Sequence, residues 1–280
     1  MSTMLGRVAL VTGASSGIGR ATALALERAG FLTVATARDA RDLAPLAEQG
    51  CETAALDVTS EASRKAAVAL VESRFGPIYA LVHCAGIPQY GPVEEVELDA
   101  MRRVFEVNVF ALVRLCQLVL PGMRRVGLGR IVTLGSLAAE VSRPGGGTYH
   151  ASKQALAALS ETLRSEVRTF GVHVVDVLPA RVDTAFGAKA IESLPKIHGG
   201  SPYQELTRHV LSWLEDAYHV ERERTSRPEE VAEVVVRAVA AQRPDPRYHV
   251  GRLGRMLALL RGVTPDALWD VTARRGIPSG

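Results

Sequence analysis

Aromatic side chains make up only 5% of the 280 residues, and cysteine occurs three times. Cys51, Cys84 and Cys116 form an odd, widely spaced set without a CxxC. That excludes a disulfide framework and fits reduced thiols, so a cytoplasmic location is expected. The seven histidines show no HExxH or other ligand spacing, and no metal site is expected. With 33 basic and 30 acidic side chains the net charge is +3, too small and too dispersed to be the footprint of a nucleic-acid-binding surface. Long hydrophobic runs are missing too. The longest, Val107–Leu120, is broken by Asn108, Arg114 and Gln117 and reads as too short and too polar to span a bilayer. No signal peptide is read at the N-terminus, and there is no internal repeat, low-complexity tract or long linker.

What is present is the mixture of an ordinary globular chain, 47% apolar and 22% charged. Two periods alternate through the first 180 residues. Apolar, β-branched runs at Val8–Thr12, Thr33–Thr36, Thr53–Leu56, Ile78–His83, Arg130–Leu134 and Val172–Leu178 predict strands. Helical spacing fills Gly17–Ala29, Ser60–Phe75, Leu98–Met123 and Thr148–Phe170 between them. Near-continuous apolar strands alternating with helices predict an α/β fold, a doubly wound parallel sheet of the Rossmann type. Residues 185–226 are more polar and read as a helical flap inserted in a single domain. Pro228 near a first turn opens another helix to about Ala241, and His249-Val250 reads as a last strand. The C-terminal extension, 251–280, carries Met256–Leu260 flanked by Arg252, Arg255 and Arg261. It is expected to pack at the pocket or a subunit contact rather than to rest on a membrane surface.

The segment Thr12-Gly13-Ala14-Ser15-Ser16-Gly17-Ile18-Gly19 follows the first strand and opens the first helix. Glycine lets the backbone turn sharply and approach a phosphate without a Cβ in the way. The helix start offers free N–H groups and a positive dipole end to a diphosphate. At the end of the second strand an NAD site would carry an acid for the adenosine ribose. Here the register gives Thr36-Ala37-Arg38, and a guanidinium suits a 2′-phosphate. The expected cofactor is therefore NADP(H) rather than NAD(H). Asp39 is the rival acid, but its position also suits a cap for the helix beginning near Ala40. Asp57-Val58 stands where the third strand ends, either at the adenine edge or as a cap.

Tyr149 and Lys153 lie four apart on a helix and share a face. A phenol is a poor acid–base catalyst near pH 7; an ammonium beside it is expected to stabilise the phenolate and lower its pKa. Ser136, just past the fifth strand, can hydrogen-bond a carbonyl. With the Thr12–Gly19 turn, Asp57, Ala85-Gly86, Asn108 and Pro179-x4-Thr184, this constellation resembles the short-chain dehydrogenase/reductase family in its compact, non-extended branch, over roughly residues 5–250.

The resemblance implies an oxidoreductase that interconverts a ketone or aldehyde with an alcohol. Tyr149 would be the general acid in reduction, Lys153 would bind the nicotinamide ribose and tune Tyr149, and Ser136 would orient the substrate oxygen. Asn108 would hold a water in a relay to Lys153, and Thr184 the nicotinamide carboxamide. It also implies cofactor contacts at Gly13, Ser15, Ser16, Gly17, Ile18, Gly19, Arg38, Asp57, Val58, Ala85, Gly86, Asn108, Tyr149, Lys153, Pro179, Val182 and Thr184. A homodimer or homotetramer would form through the apolar faces of Leu98–Met123 and Thr148–Phe170. The pattern Tyr248-x-Val250-Gly251 is similar to retinoid- and steroid-type members. A dinucleotide-sensing regulatory protein and a nucleotide-sugar epimerase or dehydratase are the alternatives. The first usually loses the tyrosine or lysine, and the second has Gly-x2-Gly-x2-Gly spacing.

Two departures stand out. Cys84 replaces an amide before Ala85-Gly86, and Ala180 replaces the glycine after Pro179, where a positive φ would strain it. The substrate lining is expected to be apolar, from Phe186, Ile191, Leu194, Tyr203, Leu206 and Trp213 on the flap and from Leu137, Val141, Gln89 and Tyr90 on the loops. That favours a bulky, poorly polar substrate. His150 reads as a flanking residue, and Cys51 and Cys116 as small apolar fillers.

Overall fold

The computed structural model describes residues 6–196, 200–220, 225–251, 256, 260–261 and 263–273. Seven parallel strands form one sheet in the order β3-β2-β1-β4-β5-β6-β7. They are β1 Val8–Thr12, β2 Leu32–Ala37, β3 Glu52–Ala55, β4 Ile78–His83, β5 Gly129–Leu134, β6 Val172–Pro179 and β7 Arg247–Val250. Every residue of β1, β4 and β5 is buried, as central strands covered on both faces require. The two edge strands are shorter and partly polar.

Side-chain alternation along the strands splits the core in two. Ala9 and Val11 of β1 face one side, where α1 (Gly17–Arg28) and α9 (Pro228–Ala240) supply Ala23, Leu26, Val231 and Val235. Val8 and Leu10 face the other side, against Val68 of α3 (Glu61–Phe75), Leu115 and Val119 of α5 (Ala111–Val126) and Leu156 of α6 (Gly147–Val167). Strand order reverses direction between β1 and β4, and the carboxyl ends of those strands open the crevice where such sheets bind ligands.

The stretch Leu98–Met123 is longer and less regular than its periodicity implies. It runs as α4 (Leu98–Phe105), a π-turn at Glu106–Phe110 and α5, ending where Gly127 takes φ 70°. The π-turn adds a residue to the helix and re-aims the side chains within it; fully buried Asn108 sits there. By length and composition the 29-residue helix Leu98–Val126 could cross a membrane, with mean hydropathy 1.6 over its most apolar 18-residue window. This corrects the shorter span read from sequence. Half of that window is buried in the protein, because Leu112, Leu115, Cys116 and Val119 pack on the sheet.

The flap contains α7 (Phe186–Glu192), α8 (Gln204–Glu215) and a second π-turn at Asp216–Val220. Residues 257–259 of the Arg-flanked tail, with Arg252 and Arg255, lie outside the described residues, as do His198 and Gly199. No non-glycine among the described residues has a positive φ, so Ala180 carries none of the backbone strain its replacement of glycine suggested.

Candidate active site

The glycine turn is built by close packing. A Cβ on Gly13, at φ +66°, would stand 2.9 Å from the backbone N and Cα of Ala85, and one on Gly19 only 2.2 Å from the Gly13 carbonyl. Neither position tolerates a side chain. Ser16, the N-cap of α1, makes no side-chain capping hydrogen bond, and the first turn holds no acid. The leading amides of α1 are therefore left to an anion. The turn opens on a cavity of about 1360 Å³ that reaches from Arg38, Asp57 and Val58 to Ser136, Tyr149, Lys153 and Phe186. Ser15, Ser16, Gly17, Ile18, Ala85, Gly86, Pro179, Val182 and Thr184 line it as well.

Gly19 and Asn108 do not line the cavity. Gly19 is consumed by the close contact of α1 with the turn at Gly13 and Ala14. The Asn108 amide is engaged by protein: Oδ1 accepts from Ile87 N (2.9 Å), and Nδ2 donates to Ile87 O (3.1 Å) and Ser152 Oγ (3.0 Å). Ser152 in turn donates to the Tyr149 carbonyl (2.7 Å). Asn108 thereby ties the loop after β4 to the helix carrying Tyr149 and Lys153. Ser152 was not singled out from sequence, because a serine inside a helix carries no local signal of such a role.

At the Arg38 end of the cavity, Asp39 proves to be the cap of the turn that follows β2. It accepts from the Arg41 amide at 2.9 Å and pairs with the Arg41 guanidinium, which leaves Arg38 at the end of β2. Asp57 accepts from the backbone N (2.9 Å) and hydroxyl (2.7 Å) of Thr59. These bonds, with Arg38 and Arg64 nearby, hold its carboxyl below the usual range. The replaced amide at Cys84 is compensated by its neighbour. His83 Nδ1 lies 3.1 Å from Thr12 Oγ1, which accepts from Ala85 N at 3.2 Å, so the ends of β1 and β4 are pinned together. Burial, helped by the Lys153 charge, lowers the His83 pKa to about 4 and leaves the ring neutral.

Lys153 Nζ donates to the Leu134 carbonyl at 2.7 Å and sits 5.9 Å from the centre of the Tyr149 ring. Burial lowers the Lys153 pKa to about 8, opposed by Cys84 and Asp176. Burial also drives the Tyr149 phenol well above its ordinary range; hydrogen bonding to Ser136 opposes this, and Tyr218 adds to it. The direction is opposite to the lowering expected from sequence, because desolvation of the phenolate is the largest effect on it. A phenol held protonated beside a serine hydroxyl can donate a proton to a carbonyl oxygen.

A family model for short chain dehydrogenases matches residues 7–194. The chain belongs to the short-chain dehydrogenase family. This dehydrogenase is 37% identical over 273 residues to estradiol 17-beta-dehydrogenase 1 of Rattus norvegicus, across 92% of this chain and 77% of that one. A short-chain dehydrogenase from Streptomyces avermitilis superposes with a TM-score of 0.79 at 30% identity, covering 96% of this chain and 98% of that one. A variant of actinorhodin polyketide ketoreductase solved with NADPH has a TM-score of 0.75 at 30% identity, covering 90% and 99%. The family makes this protein an oxidoreductase.

The substrate side of the dehydrogenase departs from the sequence reading. Of the flap and loop residues expected to line a pocket, only Phe186 reaches the cavity. Ile191, Leu194, Leu206 and Trp213 instead join Tyr90, Val210 and Leu214 in a third core cluster around Tyr149. The Tyr90 ring stacks on Tyr149 at 5.9 Å, and Phe186 leans on it at 5.4 Å. Gln89 and Tyr90 strap their loop to the flap through Ser193, by bonds of 2.7 Å and 2.9 Å. Tyr203 bonds Glu94 at 2.5 Å. His150 is buried rather than flanking. Its Nδ1 accepts from the Arg143 amide at 3.0 Å and fixes the loop before α6. The three thiols are passive: burial raises Cys51 to about 11 and Cys84 and Cys116 to about 12.

Proposed function

We propose that this dehydrogenase uses NADP(H) to interconvert a ketone or aldehyde with an alcohol on a hydrophobic substrate, working chiefly as a reductase. The observation that carries this is one cavity with Arg38 at one end and Ser136, Tyr149 and Lys153 at the other. The glycine cradle and the uncapped start of α1 fit a dinucleotide diphosphate. Arg38 would hold the 2′-phosphate, with Asp57 and Val58 beside the adenine. Ala85 and Gly86 would stand near the adenosine ribose, and Pro179, Val182 and Thr184 would seat the nicotinamide half. When bound, the cofactor supplies the hydride.

The chain's own part is orientation and the proton. The Ser136 hydroxyl bonds the substrate oxygen and fixes it beside Tyr149. The protonated phenol donates to that oxygen as charge develops on it. The Lys153 ammonium steadies the phenolate left behind and holds the ribose. Asn108 keeps the Ile87 loop and the Tyr149 helix in register. The high Tyr149 pKa keeps the donor form populated, which suits reduction. NADPH in the related ketoreductase and a steroid alcohol dehydrogenase among the relatives support the cofactor and the apolar substrate class. A homodimer or homotetramer is part of the same reading, with Phe110 and Leu159, 54% and 42% exposed on the long helices, as buried contacts.

The test is NADPH oxidation by the purified protein against a panel of ketones and aldehydes, steroid and aromatic ones included. Turnover that Tyr149→Phe abolishes while NADPH binding persists supports the assignment. Tight binding with no turnover on any carbonyl would return the protein to a sensing role.

A further inference from the structure

We propose that Lys189, on flap helix α7, is a further cofactor-binding residue whose ammonium takes a diphosphate oxygen of the dinucleotide. The proposal rests on the dinucleotide reading above and adds a contact from the flap to the phosphate-binding turn.

The argument begins with charge. A diphosphate brings two negative charges to the Gly13–Gly19 turn, yet the turn residues that line the cavity, Gly13 and Ser15 to Ile18, include no cation. The lining cations are Arg38, Arg102, Arg103, Lys153 and Lys189. Arg38 belongs to the adenosine end, where its charge acts on Asp57. Arg102 pairs with Asp99 at 2.8 Å on α4, beside Arg103. Lys153 donates to Leu134. Lys189 has no carboxylate partner among the described residues.

Position supports the same choice. The Thr184 side chain stands 3.1 Å from where a Cβ on Gly17 would be, so the segment leading into α7 lies against the first turn of α1. The rotation of α7 is fixed from behind. Ala190 is fully buried, and a Cβ on Gly187 would meet the Tyr218 ring at 2.4 Å. That leaves Ala185, Phe186 and Lys189 on the face that lines the cavity, at the i, i+1, i+4 spacing of one helical face. Phe186 on this face touches Tyr149. A Lys189–diphosphate contact therefore links cofactor occupancy to the placement of the aromatic wall on the catalytic tyrosine.

The test is binding at low salt, by calorimetry, of NADPH and of adenosine 2′-monophosphate, which lacks the diphosphate. Lys189→Met is expected to weaken NADPH about tenfold and to flatten its salt dependence, with adenosine 2′-monophosphate unchanged. Lys189→Arg should keep most of the affinity. Arg38→Met should weaken both ligands. NADPH bound by Lys189→Met as tightly as by the wild type, or an equal loss for both ligands, overturns the proposal while leaving the dinucleotide reading intact. A wild type that binds neither ligand overturns both.

Discussion

The two ends of the crevice are built on opposite plans. The nucleotide end is an open cavity whose shape is set by backbone: glycines at closest approach, an uncapped helix start and strand ends pinned by Thr12 and His83. The flap end is filled. Tyr90, Phe186, Trp213 and Tyr218 pack around Tyr149, and of these four only Phe186 lines the cavity. One end is shaped by backbone, while at the other the cavity reaches Ser136, Tyr149 and Phe186 beside a wall of packed aromatic side chains. Backbone at the strand ends thus shapes the cavity, and side-chain packing laid over the sheet shapes the wall around Tyr149.

The largest expected break in this contrast is Tyr149→Phe. It removes the proton donor and should cut reduction by about 10³-fold, while NADPH titration shows binding unchanged. Gly13→Val attacks the other end. The new side chain meets the Ala85 backbone from a φ of +66°, so NADPH binding should be lost together with a drop in melting temperature. The pH profile reads the charge between the two ends. The ammonium form of Lys153 prevails below about 8 and is lost above it, so kcat/KM for NADPH should be level at lower pH and fall through that value as pH rises. A profile that rises there would exclude Lys153 in its charged form. Phe186→Ala thins the wall over Tyr149 and should change KM for bulky ketones several-fold in steady-state assays, with little effect on NADPH affinity. Asp39→Asn should have the least effect, leaving the preference for NADPH over NADH unaltered, because Asp39 caps a turn rather than meeting a ribose.

The glycine turn and the cavity it opens on were largely legible in the chain. Gly13, Gly17 and Gly19 have few other reasons to occur at that spacing after an apolar strand, and Arg38 follows from counting β2. Asp39 and Asp57 were ambiguous, since the same carboxylate can cap a turn or meet a ligand; Arg41 assigns Asp39 to the cap, while Asp57 both accepts from Thr59 and lines the cavity. The flap was read for composition correctly and for placement poorly. Its apolar residues could line a pocket or fill a core, and helical spacing is identical for both. His150 was misplaced for a similar reason: angle around a helix says which way a side chain leaves, not what loop returns to meet it. The sign of the Tyr149 shift was missed because sequence shows that a lysine is near but not how much water is excluded.

Sequence by itself determined the alternating architecture, the phosphate turn and the Tyr149–Lys153 pair, because periodicity, glycine stereochemistry and helical spacing are local properties of the chain. Tertiary structure decided how deeply the phenol is buried, which carboxylates are already occupied, and that the flap closes on Tyr149 as packed core. Desolvation and packing depend on groups far apart in the chain, such as Tyr90 and Trp213, and exist only once the fold has brought them together.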